Sequence, residues 1–172
     1  MINDMLSVMN YSGEALKLNL ETKNLQEFFN SIENNLKPLA EQNRMSLKLR
    51  VPENDTYKVI IDAYLVNRLI ENLVLNAIKH NSAEAEILLS AEVDNENSKW
   101  VFRVADNGVG LPEGKEDIFE MHKTGKGRSA HSHGIGLSFC RLVVEAHEGS
   151  IRTYKNEPQG AVFEVELPYN SN

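Results

Sequence analysis

Cysteine is almost missing from this chain. Cys140 is the only one in 172 residues, so neither a disulfide framework nor a thiolate metal cluster can be built. Its place in the apolar run LSFC makes it a small buried hydrophobe. Positive charge is also in deficit. Eighteen Lys and Arg against 25 Asp and Glu leave a net charge of −7, which argues against a nucleic-acid or anionic-membrane surface as the main partner. No apolar stretch approaches the ~18 residues of a membrane span, and no signal-peptide pattern follows Met1. A cytoplasmic setting without direct membrane contact is expected. Familiar phosphate-binding signatures are lacking too. There is no GxxxxGK[ST] loop, no protein-kinase set, and no GxGxxG, because Glu113, Ala130 and Phe139 occupy each possible third-glycine position.

What is present is the composition of one folded domain, 41% hydrophobic and 25% charged, long enough to bury a real core. Ile2, Met5, Leu6 and Met9 give a short amphipathic helix over residues 1–11, interrupted at Ser12 and Gly13. Residues 15–22 alternate as a short extended segment. Asn24 with Glu27 is a capping-box-like start for a helix carrying Leu25, Phe28, Phe29, Ile32, Leu36, Leu39 and Ala40, which Pro38 should bend or weaken near its end. Residues 46–51 and 57–61 read as a strand pair around a turn at 52–56, and Asp62 as the N-cap of the next helix. Further strands are expected at 84–93, 99–105, 150–154 and 161–167, with a helix at 137–147. The sum is an α/β two-layer sandwich, one mixed and mainly antiparallel sheet covered on one face by three main helices. Trp100 and Phe102 alternate into its core, while Glu145, Glu148, Glu164 and Glu166 read as exposed charge.

The helix over 68–81, RLIENLVLNAIKHN, has an apolar side set by Leu65, Leu69, Leu73 and Ala77 and, one step round, Val66, Ile70, Val74 and Ile78. Its other side presents Asn72, Asn76, Lys79 and His80. Amide oxygens four residues apart with an ammonium group beyond them suit a hard cation shared with a phosphate chain. A merely solvated helix face looks the same. In Asp106, Gly108 and Gly110 a carboxylate ends a strand, and glycines let the backbone turn and approach a flat ligand. That carboxylate can accept a hydrogen bond from the exocyclic amine of adenine. Guanine would set a carbonyl against it, at a cost of roughly 1–3 kcal/mol. A plain DNG turn remains the alternative. Gly134 and Gly136 open a helix whose free N–H groups and dipole suit phosphate oxygens.

Taken together, NLVLNAIKH at 72–80, DNGVG at 106–110, IFE at 118–120 and GIGLSFCRLVVEAHEGSI at 134–151 resemble the N, G1, F and G2 boxes of the catalytic ATP-binding domain of sensor histidine kinases, within the GHKL superfamily. GAVFEVELP at 160–168 resembles the closing strand. The likeness spans about residues 15–168. Residues 1–14 look like the end of a dimerisation and phosphoacceptor hairpin, and 169–172 are a polar tail.

The resemblance implies ATP and magnesium as ligands. Asn76 would hold the metal with support from Asn72, Lys79 and His80 would meet phosphates or ribose, and Asp106 the adenine amine. Gly108 and Gly110 would shape the adenine pocket, while Gly134, Ile135, Gly136 and Leu137 would wall the phosphate side. Residues 112–133 would form a lid whose Lys123, Lys126 and Arg128 close on the phosphates. Ser132 replaces the first glycine of the usual G2 box, and Ala161 a polar residue that often supports adenine through water. None of the five histidines sits in a phosphoacceptor setting, so the acceptor is expected upstream, on the hairpin of a homodimeric protein that passes phosphate to a response-regulator receiver domain. His122, His131 and His133 read as lid residues rather than a metal site. Relatives that hydrolyse ATP place a water-activating glutamate where this chain has Asn72, and Glu71 is about a quarter turn away. The implied activity is therefore phosphotransfer to histidine. A noncatalytic nucleotide sensor and a serine kinase of the anti-sigma type are the other readings.

Overall fold

Alternating apolar residues and helical stripes organise ten elements among the described residues. The computed structural model describes residues 16–53, 56–111 and 134–169, with Gly134 and Ile135 as backbone only. The expected N-terminal helix and lid lie outside those residues. In chain order the elements are β1 (Glu21–Asn24), α1 (Leu25–Gln42), β2 (Ser46–Arg50), β3 (Lys58–Ile61), α2 (Ala63–His80), β4 (Glu86–Asp94), β5 (Lys99–Asp106), α3 (Gly134–Ala146), β6 (Ser150–Lys155) and β7 (Ala161–Pro168).

Five strands form one sheet in the order β2-β4-β5-β7-β6, parallel between β2 and β4 and antiparallel elsewhere. β1 and β3 form a separate antiparallel ribbon, Glu21 opposite Ile61 and Asn24 opposite Lys58. The expected pairing of residues 46–51 with 57–61 is thus incorrect. Alternation dictates which face of a strand is buried but not which neighbour it takes. α2 carries the chain across to β4, a connection long enough for the parallel pairing of β2 with β4.

Helices and strands meet in one core. Leu47, Ile87, Leu89, Trp100, Phe102, Phe163, Val165 and Leu167 line the covered face of the sheet. α1 adds Leu25, Phe29, Ile32, Leu36 and Ala40, and Phe29 sets its ring edge-on to Trp100, 6.2 Å between centroids. Helical structure continues through Pro38 to Gln42. α2 buries Leu65, Val66, Leu69, Ile70, Leu73, Val74 and Ala77, two adjacent stripes that let it pack on both α1 and α3. Each such side chain contributes about 1.5–3 kcal/mol. Cys140 is fully buried beneath α2, and burial pushes its thiol pKa up.

The start of α2 is fixed by side chains. Asp62 Oδ1 accepts the Leu65 N–H at 3.0 Å, and Oδ2 accepts the Asn19 N–H at 2.9 Å. The Asp62 N–H donates to His147 Nε2 at 3.0 Å, while Nδ1 of the same ring lies 2.7 Å from the Val143 carbonyl. An Nε2 that accepts requires the proton on Nδ1, so His147 is the neutral Nδ1–H tautomer. One aspartate thus ties residues 16–20, the N-terminus of α2 and the end of α3.

The opposite face of the sheet carries a charge cluster. Glu164 is 2% exposed and accepts from Arg103 Nε at 2.6 Å, Arg152 Nε at 2.6 Å and the Tyr154 hydroxyl at 3.0 Å. Burial alone would raise its carboxyl pKa, but these three donors hold it below the usual value. The expectation of exposed charge fails at this position. Two arginines and a tyrosine from neighbouring strands lie across it, and no sequence period reports such lateral cover.

Candidate nucleotide site

α2 sets the first half of the site. Asn72 and Asn76 are half-buried one turn apart, with Lys79 exposed and His80 partly buried in the last turn. The Asn72 Nδ2 donates to the Arg68 carbonyl at 2.7 Å, which leaves Oδ1 pointing away from its own helix. That oxygen faces the start of α3. A Cβ on Gly136 would lie 3.3 Å from it, tighter than an ordinary contact, so glycine lets the first turn of α3 sit against Asn72. No acidic residue stands in that first turn, and the last turn of α2 is basic. Both features favour an anion between them. Leu137 gives its side chain to the core, which leaves only its backbone for the site.

Glu71 lies on a different flank. Its Oε1 accepts from Asn67 Nδ2 at 2.8 Å and its Oε2 from Arg68 Nη1 at 2.5 Å. Both oxygens are engaged by residues three and four positions earlier.

β5 delivers the second half. Asp106 is 5% exposed at the strand end, and its Oδ1 accepts the N–H groups of Gly108 at 3.0 Å and Ala161 at 3.4 Å. The two backbone donors orient the carboxylate and leave Oδ2 for a ligand donor. The backbone of Ala161 thus supports the aspartate directly, whatever its side chain lacks. Asn107 prolongs the β4–β5 ladder through its Oδ1, 2.7 Å from the Glu86 N–H.

The glycines have distinct reasons. Gly110 has φ +77°, which disfavours any Cβ, and packs on the carbonyl of Gly160. Gly160 has φ +115°, and a Cβ there would come within 1.8 Å of the Asp106 carbonyl oxygen. Gly108 needs no unusual φ; a Cβ on it would fall 1.6 Å from Asn81 Oδ1. Packing against the Asn81 amide leaves no room for a Cβ at that glycine.

Two residues outside the sequence-predicted set complete the loop. Asn81 Oδ1 accepts the Val109 N–H at 2.9 Å, while its Nδ2 donates to the Ala77 carbonyl at 3.0 Å. Asn156 Nδ2 donates to the Asp106 carbonyl at 2.7 Å. The only trace either leaves in the sequence is an asparagine at an element end, a common capping pattern. Asn72 and Gly136 are brought together, as are Asp106, Gly108 and Gly110, and Asn81 joins the second group to the helix of the first. Lys123, Lys126 and Arg128 lie outside the described residues, as do the side chain of Ile135 and the surroundings of Gly134.

Among the described residues no group of three or more His, Cys, Asp or Glu can hold a metal. What this site offers a cation, among the described residues, is amide oxygen, to be shared with its ligand's own phosphates. Asn72 and Asn76 fit magnesium on those terms.

Residues 61–171 match the family model described as histidine kinase-, DNA gyrase B-, and HSP90-like ATPase. The chain belongs to this ATPase family. Every proposed ligand residue from Asn72 to Leu137 falls inside the matched segment. Within curated proteins the chain is similar to the sensor protein KdpD of Escherichia coli (strain K12), 34% identical over 170 residues, and to the alginate biosynthesis sensor protein KinB of Pseudomonas aeruginosa, 30% identical over 169. Both alignments take in 98% of this chain but only 18% of KdpD and 28% of KinB, so the chain spans less than a third of either. Its fold is that of the catalytic domain of histidine kinase ThkA, with a TM-score of 0.74 at 23% identity over 88% of this chain and 96% of that one. Full-length ShkA in complex with AMPPNP gives a TM-score of 0.80 at 21% identity, covering 99% of this chain and 35% of ShkA. The expected sandwich, three helices on a mixed five-stranded sheet, is the fold these ATPase-family structures share. No helix among the described residues is long and apolar enough to cross a membrane.

Proposed function

We propose that this domain binds Mg-ATP and transfers the γ-phosphate to a histidine on a helical hairpin upstream, for relay to an aspartate of a response-regulator receiver domain. The observation that carries the reading is Asp106: a buried carboxylate, oriented by two backbone N–H groups and joined through Gly108 and Asn81 to the end of the helix that carries the asparagine face. Oδ2 of Asp106 accepts the adenine amine. Lys79, His80, the first-turn N–H groups of α3, Lys126 and Arg128 bind the phosphates. Asn76 and Asn72 hold the magnesium, which supplies neutralisation of phosphate charge when bound.

Transfer rather than hydrolysis is favoured by what stands near Asn76. An amide at position 72 cannot take a proton from water, and the Glu71 carboxylate is engaged by Asn67 and Arg68. In the reaction the bond from the γ-phosphorus to its bridging oxygen breaks, a bond to an imidazole nitrogen forms, and ADP leaves. The parent protein works as a homodimer, with the acceptor histidine on its dimerisation hairpin.

The test is transfer of labelled γ-phosphate from Mg-ATP, in trans, to the histidine-bearing hairpin of the parent protein. Acid-labile, base-stable label on the hairpin is expected. Confirmed nucleotide binding with no label would instead indicate a domain that senses ATP without transferring phosphate.

A further inference from the structure

Asn81 ends α2, yet the helix end does not need its side chain. The Asn81 backbone N–H already closes on the Ala77 carbonyl at 3.2 Å, and the side-chain Nδ2 adds a second donor to the same oxygen at 3.0 Å. This double attachment fixes the amide plane. Its Oδ1 is thereby aimed out of the helix and accepts the Val109 N–H at 2.9 Å. The amide also fills the space beside Gly108, where an added Cβ would lie 1.6 Å from Oδ1 and 2.1 Å from Cγ. Gly108 in turn gives its N–H to Asp106 Oδ1. A chain of contacts therefore runs from the last turn of α2, through Asn81 and Gly108, to the carboxylate.

We infer that Asn81 is a positioning residue for base recognition, holding the Asp106–Gly110 loop so that the Asp106 carboxylate meets the adenine amine at a fixed distance from the phosphate site on α2. The inference rests on the adenine-nucleotide reading above and assigns a specificity role to a residue outside the ligand set. Val109 explains why a latch is needed. The residue is 67% exposed, and its burial does little to anchor the turn. Without the Asn81 oxygen, the turn keeps the Asn107–Glu86 pairing and the Asp106–Gly108 bond, and the second of these is the one whose geometry matters. Gly108 follows from the same arrangement, because its φ lies in the ordinary range and the three atoms nearest an added methyl group all belong to the Asn81 amide.

The test titrates the 172-residue chain with Mg-ATP, Mg-GTP and inorganic tripolyphosphate with magnesium. Asn81→Ala should weaken ATP about tenfold, the loss of one or two loop-fixing hydrogen bonds, and should narrow the ATP-to-GTP ratio. Tripolyphosphate should bind within about twofold of wild type, since the phosphate side is untouched; a purely structural role would lower all three together. Gly108→Ala leaves Asn81 in place and supplies an independent probe: it should weaken ATP more than Asn81→Ala does, and combining the two should return affinity to the Asn81→Ala level, because removing the amide makes room for the methyl group. Unchanged ATP affinity in Asn81→Ala, equal losses for ATP and tripolyphosphate, or additive effects of the two substitutions would overturn the inference. Failure of the wild-type chain to bind Mg-ATP would instead overturn the functional reading beneath it.

Discussion

Replacing Asp106 by Asn changes one atom of the site and leaves its frame standing. The amide oxygen can take the place of Oδ1 and keep the Gly108 and Ala161 N–H groups, so the NH2 group is forced into the place of Oδ2. There it faces the adenine amine, donor against donor. Losing a hydrogen bond to a charged acceptor costs about 1.5–3 kcal/mol, and two buried donors left facing each other cost about 1–3 kcal/mol more. The sum is about 2.5–6 kcal/mol, or roughly two to four powers of ten in ATP affinity. Guanine fares differently, because its carbonyl meets the new NH2 group favourably, so the preference for ATP over GTP should collapse or reverse. Stability should change by less than about 1 kcal/mol, since both backbone bonds survive. Titration calorimetry with Mg-ATP and Mg-GTP, beside urea unfolding of the same samples, reads all three quantities. ATP affinity within twofold of wild type would place the base elsewhere. A large loss with an unaltered ATP-to-GTP ratio would refute the donor–acceptor argument even though binding had failed.

Asn76→Ala should lower magnesium-dependent nucleotide binding or transfer at least about tenfold with little change in melting temperature, because the side chain is half-buried and outside the core. Glu71→Gln, in contrast, should leave transfer near wild type; a large loss of transfer would restore Glu71 as a base. Glu164→Gln should cost about 2–4 kcal/mol at pH 7, toward the lower end because Arg152 is 64% exposed and can regain water. Glu164 titrates lower in the folded state than in the unfolded one, so its contribution is complete above the unfolded value and is lost as pH falls through the folded value. Wild type and variant should therefore differ by a constant amount from pH 7 to about pH 5, begin to converge below about pH 4, and meet only below the folded value. A difference that persists in acid would show that packing, not charge, carries the effect.

Local signals in the sequence identify most elements and the starts of α1 and α2, whereas α3 begins at Gly134, three residues before the expected start. Asn24 caps α1 through the Glu27 N–H, and Asp62 caps α2 through the Leu65 N–H, as their spacing predicts. Seven of the eight apolar stripe residues expected on α2 are buried, and the eighth, Ile78, is partly buried against the core. What failed was pairing and cover. Leu47, Val59 and Ile61 alternate identically whether their strands are neighbours or belong to separate sheets, and burial of Glu164 depends on side chains from strands β5 and β6. Asn81 and Asn156 escaped notice for a related reason. Their hydrogen bonds reach backbone 28 and 50 residues away, and an asparagine at an element end carries no mark of so distant a partner.

Asp62 has a practical consequence for where this domain can be cut. A fragment starting at Glu21 would keep every strand and helix described, yet it would lose the Asn19 N–H and the packing of Leu16 and Leu18 on the core. The aspartate would keep its cap on Leu65 but surrender the partner of its second oxygen, at the helix end that also anchors His147. A fragment that keeps both features begins no later than Leu16, several residues before the first regular element.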